Sequence, residues 1–425
     1  MAERIPNTQP AEASAGTAEQ AAPPVPEART GVEQSPGFPT ARSANRPTGT
    51  PTGAAARRRS TGALLDPVDG HSLSPRSVHK PLGGGSRLAS PNRRHAGPLP
   101  TGRAKRRYWS VFAVLAVLAI LTTAGSLVWD NPMPLGTDGF WLIAQMRATN
   151  LVIIAIVAFC QAIATVSFQT VANNRIITPS IMGFESLYRL VQTGSVFLFG
   201  GLGLVMMTGT LQFFLQIVLM VVFAGLLYGW LLSGKYGNLQ IMLLIGIILG
   251  GGLGALATFM QRLLTPSEFD LLTARLIGSI ANADASYLAL AIPLAAAAGG
   301  VLWFGSTRLN VLALGRETAV NLGVDHRRQT ILVLLLVSVL MAVSTALVGP
   351  MTFFGFLVAM IAYQLADTHD HRYIFPMSWL IGFVVLAGAH FALKNFFYAE
   401  GSVGVIIEIV GGTFFLIYIL RKGRL

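Results

Sequence analysis

The chain has 425 residues, of which 52 % are hydrophobic and only 12 % charged, with a mean hydropathy of +0.58. That composition lies far from a soluble globular domain. A single cysteine, Cys160, excludes an intrachain disulfide and a cysteine metal cluster, and with no Gly-x-x-x-x-Gly-Lys-(Ser/Thr) phosphate loop the chain is not itself an ATPase of that type.

The net charge of +12 is unevenly placed. Residues 1–107 hold 15 of the 22 prolines and 16 of the 31 Lys/Arg against 7 acidic residues. With almost no aromatic or β-branched runs, this stretch lacks the apolar surface needed to offset chain entropy, and it reads as a disordered basic tail rich in Pro, Ala, Gly and Ser. It is not a signal peptide, because the first apolar run starts near Trp109. No Met lies between Met1 and Met133, so a shorter product would need a non-Met start. A solvated extension is the plain reading of the tail. Arg57-Arg58-Arg59 and the basic cluster Arg103–Arg107 offer a second reading, attraction to anionic membrane lipid. Nucleic acid is disfavoured, since no aromatic residues interleave with the charge.

Residues 108–425 read as a transmembrane domain and the fold class as all-α, a polytopic membrane protein. A hydrocarbon core about 30 Å thick needs roughly 20 apolar helical residues. About ten candidates follow in order: 109–128, 151–168, 181–202, 211–232, 239–263, 285–304, 329–348, 351–366, 377–395 and 403–420. The third contains Glu185, Arg189 and Gln192; the eighth is short and is set off from the seventh only by Gly349-Pro350. Starting from a cytoplasmic N-terminus, alternation places Arg175, Lys235, Arg308, Arg316, Arg327, Arg328, Arg372, Arg421, Lys422 and Arg424 inside. It leaves Arg147, Arg262, Arg275 and Lys394 outside, the asymmetry a bacterial cytoplasmic membrane protein requires. Both termini are then cytoplasmic.

Within the spans, Glu185 and Arg189 stand four apart, the favourable order for a helical ion pair. Glu408 and His390 have no obvious partner, and a proton-coupled secondary transporter would want such groups. The fifth span carries Gly246, Gly250, Gly251, Gly252 and Gly254; small residues let helix backbones approach or slide, and the choice lies between plain packing and a pathway-lining gate. The connection 265–283 opens with Thr265-Pro266-Ser267-Glu268, a cap and first turn for a short surface helix. His369, Asp370 and His371 are too closely spaced to make a metal cage. No metal site, catalytic group or cofactor is expected.

The long polar insert between spans is residues 309–328. Leu312, Leu314, Ala319 and Leu322 can share a helical stripe, Arg316, Glu317 and Asn321 stay polar, and Asp325 can cap the next span. The spacing predicts two short helices meeting at Gly323. An ordinary amphipathic connector fits that spacing equally well.

Leu312–Val324 (LALGRETAVNLGV) resembles the coupling segment of the iron–siderophore/cobalamin type of ABC importer permease. Gly349–Gly355 (GPMTFFG), Asp370–Tyr373 with Pro376, Ser402–Gly404 with Gly411–Phe415, and Asn173–Tyr188 are similar to that family's motifs, in the correct order. The resemblance runs from about Ala113 to Leu425 and is strongest to iron-siderophore permeases. It implies a type II ABC importer permease fold. One subunit would pair with a second permease, identical or related, around a central path. ATP-binding subunits would dock on residues 309–328, with Arg316 and Glu317 for specificity, Leu314, Ala319 and Leu322 as apolar seat, and Gly315 and Gly323 as punctuation. A substrate-binding protein would deliver ferric siderophore, cobalamin or haem from outside. Arg147 and Lys394 would meet its carboxylates, although the Pro-(Arg/Lys) that normally follows the first of them is missing, and Gly250, Gly251, Gly252 and Gly254 would line the path. The subunit itself would do no covalent chemistry.

Overall fold

The computed structural model describes residues 97–422 except 130, 135, 207–208, 234–238, 281–282 and 397–402; the expectations for residues 1–96 lie outside the described residues. Thirteen α-helices are described and no strand occurs among the described residues. They are α1 (Gly102–Val128), α2 (Asp138–Ala172), α3 (Phe184–Met206), α4 (Thr210–Ser233), α5 (Leu239–Gln261), α6 (Pro266–Leu276), α7 (Leu288–Phe304), α8 (Ser306–Leu312), α9 (Arg316–Asn321), α10 (His326–Val348), α11 (Phe354–Ala366), α12 (His371–Phe396) and α13 (Val403–Lys422).

The centre of the bundle is α2. Its second half is mainly apolar, close to the pattern of a helix buried all round, and most residues from Leu151 to Val171 are buried, every one from Cys160 onward. Helices α7, α10, α11 and α12 pack directly against it. Few polar groups are admitted and some are paired: Gln161 Nε2 donates to Ser344 Oγ on α10 at 3.1 Å. Cys160 is buried in this core. By contrast, α1, α4, α5 and α13 turn large apolar side chains outward, as helices facing lipid do.

Eight described helices, or helical stretches, are long and apolar enough to cross a membrane. The two remaining predicted spans, α3 and α11, differ in kind. At 13 residues, α11 is about 20 Å long, too short to cross a core of about 30 Å. Helix α3 starts against the middle of α5: a Cβ on Gly250 would lie 2.8 Å from Gly183 Cα. It also breaks at Gly200, where the backbone turns to φ +63°. The short helix expected after Thr265 is α6, with Glu268 Oε2 accepting from the Thr265 amide at 3.0 Å.

The ordered domain begins before the predicted boundary at 107/108. Thr101 caps α1 through Ala104 N, and the basic cluster lies in the first turns of that helix. Arg107 pairs with Asp367 at 3.1 Å, Pro98 O accepts from Thr368 Oγ1 at 2.7 Å, and Tyr108 donates to Tyr373 O at 3.0 Å. The start of α1 is thus fixed against the α11–α12 connection.

Candidate functional site

Between α7 and α10 the chain forms two short helices at one end of the bundle, but they meet at Gly315 and not at Gly323. Gly315 has φ +92° and Gly323 φ +82°, conformations open to glycine at little cost. Gly323 instead ends α9. Its N–H donates to Val320 O at 2.9 Å and that of Val324 to Ala319 O at 3.0 Å, the paired bonds of a Schellman cap. Asp325 then caps α10 through Arg328 N at 3.2 Å. With its backbone groups bonded in this way, the loop is a folded element.

The break at Gly315 splits the expected apolar stripe. Leu309, Leu312 and Ala319 are buried against the bundle. Ala319 therefore faces inward and cannot form part of an outer seat. Leu314, Val320 and Leu322 are 60 %, 55 % and 59 % exposed, with Arg316 and Glu317 exposed beside them in sequence. Exposed leucines and valine on a loop at the bundle's end, accompanied by charge, have the character of a docking surface. Sequence spacing does not single out Val320; its only signal is its place next to the inward Ala319 on a one-and-a-half-turn helix.

A part-buried clamp fixes α8, and spacing gives no hint of it. Asn310 Nδ2 donates to Asp370 Oδ1 at 3.0 Å, and Asn310 Oδ1 accepts the His371 N–H at 3.1 Å. The His371 ring spans from Asn310 Oδ1 through Nδ1 to Thr170 Oγ1 on α2, 2.7 Å from Nε2. Thr170 Oγ1 also donates to Val166 O at 2.8 Å, so the ring is seated between Asn310 and a hydroxyl that is itself anchored to α2. The residues weighed as a metal cluster therefore hold the loop to the core: Asp370 and His371 bind Asn310, while His369 stays exposed.

Other predicted residues are redistributed. Arg147 donates to Ser126 O at 3.2 Å and Trp129 O at 2.7 Å; it ties α2 to the C-terminal carbonyls of α1, where a cation is favoured. Lys394 is exposed near the far end of α12. The glycines divide by face: Gly250 is buried against Gly183, while Gly251 and Gly252 are exposed and meet nothing within 4 Å. Gly254 faces α3, where a Cβ in its place would lie 3.5 Å from Ser186 Oγ.

Glu185 does not pair with Arg189. Its Oε2 accepts from Thr352 Oγ1 at 2.6 Å, whereas Arg189 is exposed. The Thr352 N–H donates to Glu408 Oε1 at 2.7 Å. One residue of the Gly349–Gly355 turn thus bridges carboxylates from α3 and α13, and Glu408, expected to lack a partner, has one.

The chain is an all-α polytopic bundle with the fold of an ABC importer permease. The chain belongs to the FecCD transport family, whose profile matches residues 104–422. It is 48 % identical over 332 residues to the petrobactin import system permease protein FatC of Bacillus anthracis, covering 78 % of this chain and 94 % of that one. It is 36 % identical over 312 residues to the petrobactin import system permease protein YclO of Bacillus subtilis strain 168, covering 73 % and 97 %. In fold it is similar to a metal-chelate type ABC transporter solved in an inward-facing conformation, with a TM-score of 0.62 at 22 % identity, covering 74 % of this chain and 99 % of that one.

Proposed function

We propose that this chain is the membrane-spanning subunit through which a ferric siderophore of the petrobactin kind enters a bacterial cell, driven by ATP hydrolysis on separate subunits. The observation that carries the reading is the outward triplet Leu314, Val320 and Leu322 on a loop fastened to the core through Asn310. A motor that closes on ATP transmits a rigid-body push, and a push is transmitted only by a surface that does not yield. Two ATP-binding subunits grip this end, which faces the cytoplasm together with both termini. Arg316 and Glu317 supply polar specificity at the rim.

A second permease subunit completes the path, with the exposed Gly251 and Gly252 face of α5 turned to it or to the substrate. An extracytoplasmic binding protein docks at the opposite end, where the exposed Lys394 can meet a carboxylate; Arg147 is already committed to α1. Petrobactin relatives at 48 % and 36 % identity favour an iron chelate over cobalamin or haem. Of Glu408 and His390, the two groups a proton-coupled carrier would use, Glu408 accepts a backbone hydrogen bond from Thr352.

The test is uptake of iron-loaded petrobactin by cells whose own petrobactin permeases are deleted, supplied with this chain and its companion subunits. Uptake should be restored, should survive a protonophore while ATP is maintained, and should stop on ATP depletion. Uptake that follows the proton gradient and ignores ATP would sink the proposal.

A further inference from the structure

We propose that a groove at the α7–α8–α10 junction binds one anionic phospholipid of the leaflet facing the coupling loop. The cavity has a volume of about 380 Å³. Its apolar lining includes Val301 and Phe304 of α7 with Leu332 and Leu336 of α10, and its polar lining is Thr307, Arg308 and Gln329. The wall is open along its length: Val301 and Leu332 are exposed, and Phe304 is 88 % exposed.

Three observations select the occupant. The first is position. Leu332 and Leu336 lie about 9 and 15 Å along α10 from His326 at 1.5 Å per residue, on a helix long and apolar enough to cross a membrane. The wall thus runs along the side of a helix of membrane-spanning length, and an acyl chain fits it. The second is charge. Residues 306–328 carry four arginines against two carboxylates. Arg328 pairs with Asp325 at 3.1 Å; among the described residues no carboxylate lies within ion-pair distance of Arg308. The third is unused hydrogen-bonding capacity, since the guanidinium of Arg308 and the carboxamide of Gln329 form no side-chain bond among the described residues. A fork of donors lining an acyl-sized groove suits a phosphodiester. A zwitterionic head group would bring an ammonium to an already basic rim, so the negatively charged lipid is preferred.

The inference rests on the reading that the coupling loop faces the cytoplasm, where the leaflet is anionic. The test is native mass spectrometry of the full-length chain released from vesicles of phosphatidylglycerol and phosphatidylcholine in equal parts. One phosphatidylglycerol should be retained over phosphatidylcholine by about fivefold, the preference expected of one arginine near a membrane surface. R308Q should abolish the preference and R308K should keep most of it. V301W, which fills the wall, should release both lipids. Equal retention of the two lipids by the wild-type chain would overturn the proposal. So would loss of the preference in R327Q as complete as in R308Q, since that indicates diffuse attraction to the basic end. A photo-reactive residue at Phe304 should cross-link to phosphatidylglycerol; cross-links only to a second permease or an ATP-binding subunit would give the groove to a protein and overturn it. Failure of the lipid preference while position 317 still cross-links to an ATP-binding subunit would remove the lipid site and leave the coupling reading standing.

Discussion

Placing aspartate at both Leu314 and Leu322 (L314D/L322D) should detach the ATP-binding subunit while leaving the permease folded. Both side chains are about 60 % exposed, so neither contributes to the core, and surface substitutions of this kind usually change stability by no more than about 0.5 kcal/mol. At a partner interface the same residues would be desolvated anchors, and losing such an anchor costs about 2–4 kcal/mol. At roughly 1.4 kcal/mol per tenfold, two together should weaken the complex by at least about a hundredfold, read as loss of co-purification. Leu312 provides the contrast. It is 2 % exposed, and L312D buries an unpaired charge and should lower yield and melting temperature instead. If L314D/L322D keeps its partner, the apolar seat lies elsewhere.

Asn310→Leu should separate docking from coupling. The outer surface of the loop stays intact, so the ATP-binding subunit should still bind. What is lost is the clamp, in which Asn310 bonds Asp370 at 3.0 Å and the His371 amide at 3.1 Å. A buried partner left unsatisfied costs about 1–3 kcal/mol; here the His371 N–H at the start of α12 loses Asn310 Oδ1, while Asp370 Oδ1 keeps the Arg372 N–H at 3.0 Å. A loop that yields under load absorbs the push. The ratio of siderophore moved to ATP hydrolysed, measured in reconstituted vesicles, should fall by about tenfold or more, with hydrolysis itself retained. An unchanged ratio in N310L would show that the clamp plays no part in transmission.

The spans were legible because a run of about 20 apolar residues has few other fates. Legibility failed where tertiary contacts override local pattern. Glu185 and Arg189 satisfy the i,i+4 rule, yet Glu185 takes the hydroxyl of Thr352, 167 positions away, because α3 begins deep in the bundle beside the Gly349–Gly355 turn. Gly315 and Gly323 both adopt positive φ, and spacing alone cannot say which one joins two helices and which one caps the second. With the joint at Gly315, Ala319 turns inward and Val320 outward. Arg147 was an outer docking group only by the family resemblance; its guanidinium donates to the carbonyls that end α1, a contact no local pattern encodes. The Asn310–His371–Thr170 clamp links residues 61 and 201 positions apart. No local period encodes it, and the motif around Asp370 carried its only trace.

The account stands on a knob held by an external motor, and a photo-reactive amino acid at Glu317 tests that directly in intact cells. Glu317 is exposed on α9, so the probe reaches whatever covers it without disturbing the buried face. Cross-linking to an ATP-binding subunit, strengthened when nucleotide is trapped, is the expected result. Labelling of Glu317 by a membrane-impermeant reagent added outside the cell, with no cross-link to such a subunit, would contradict it.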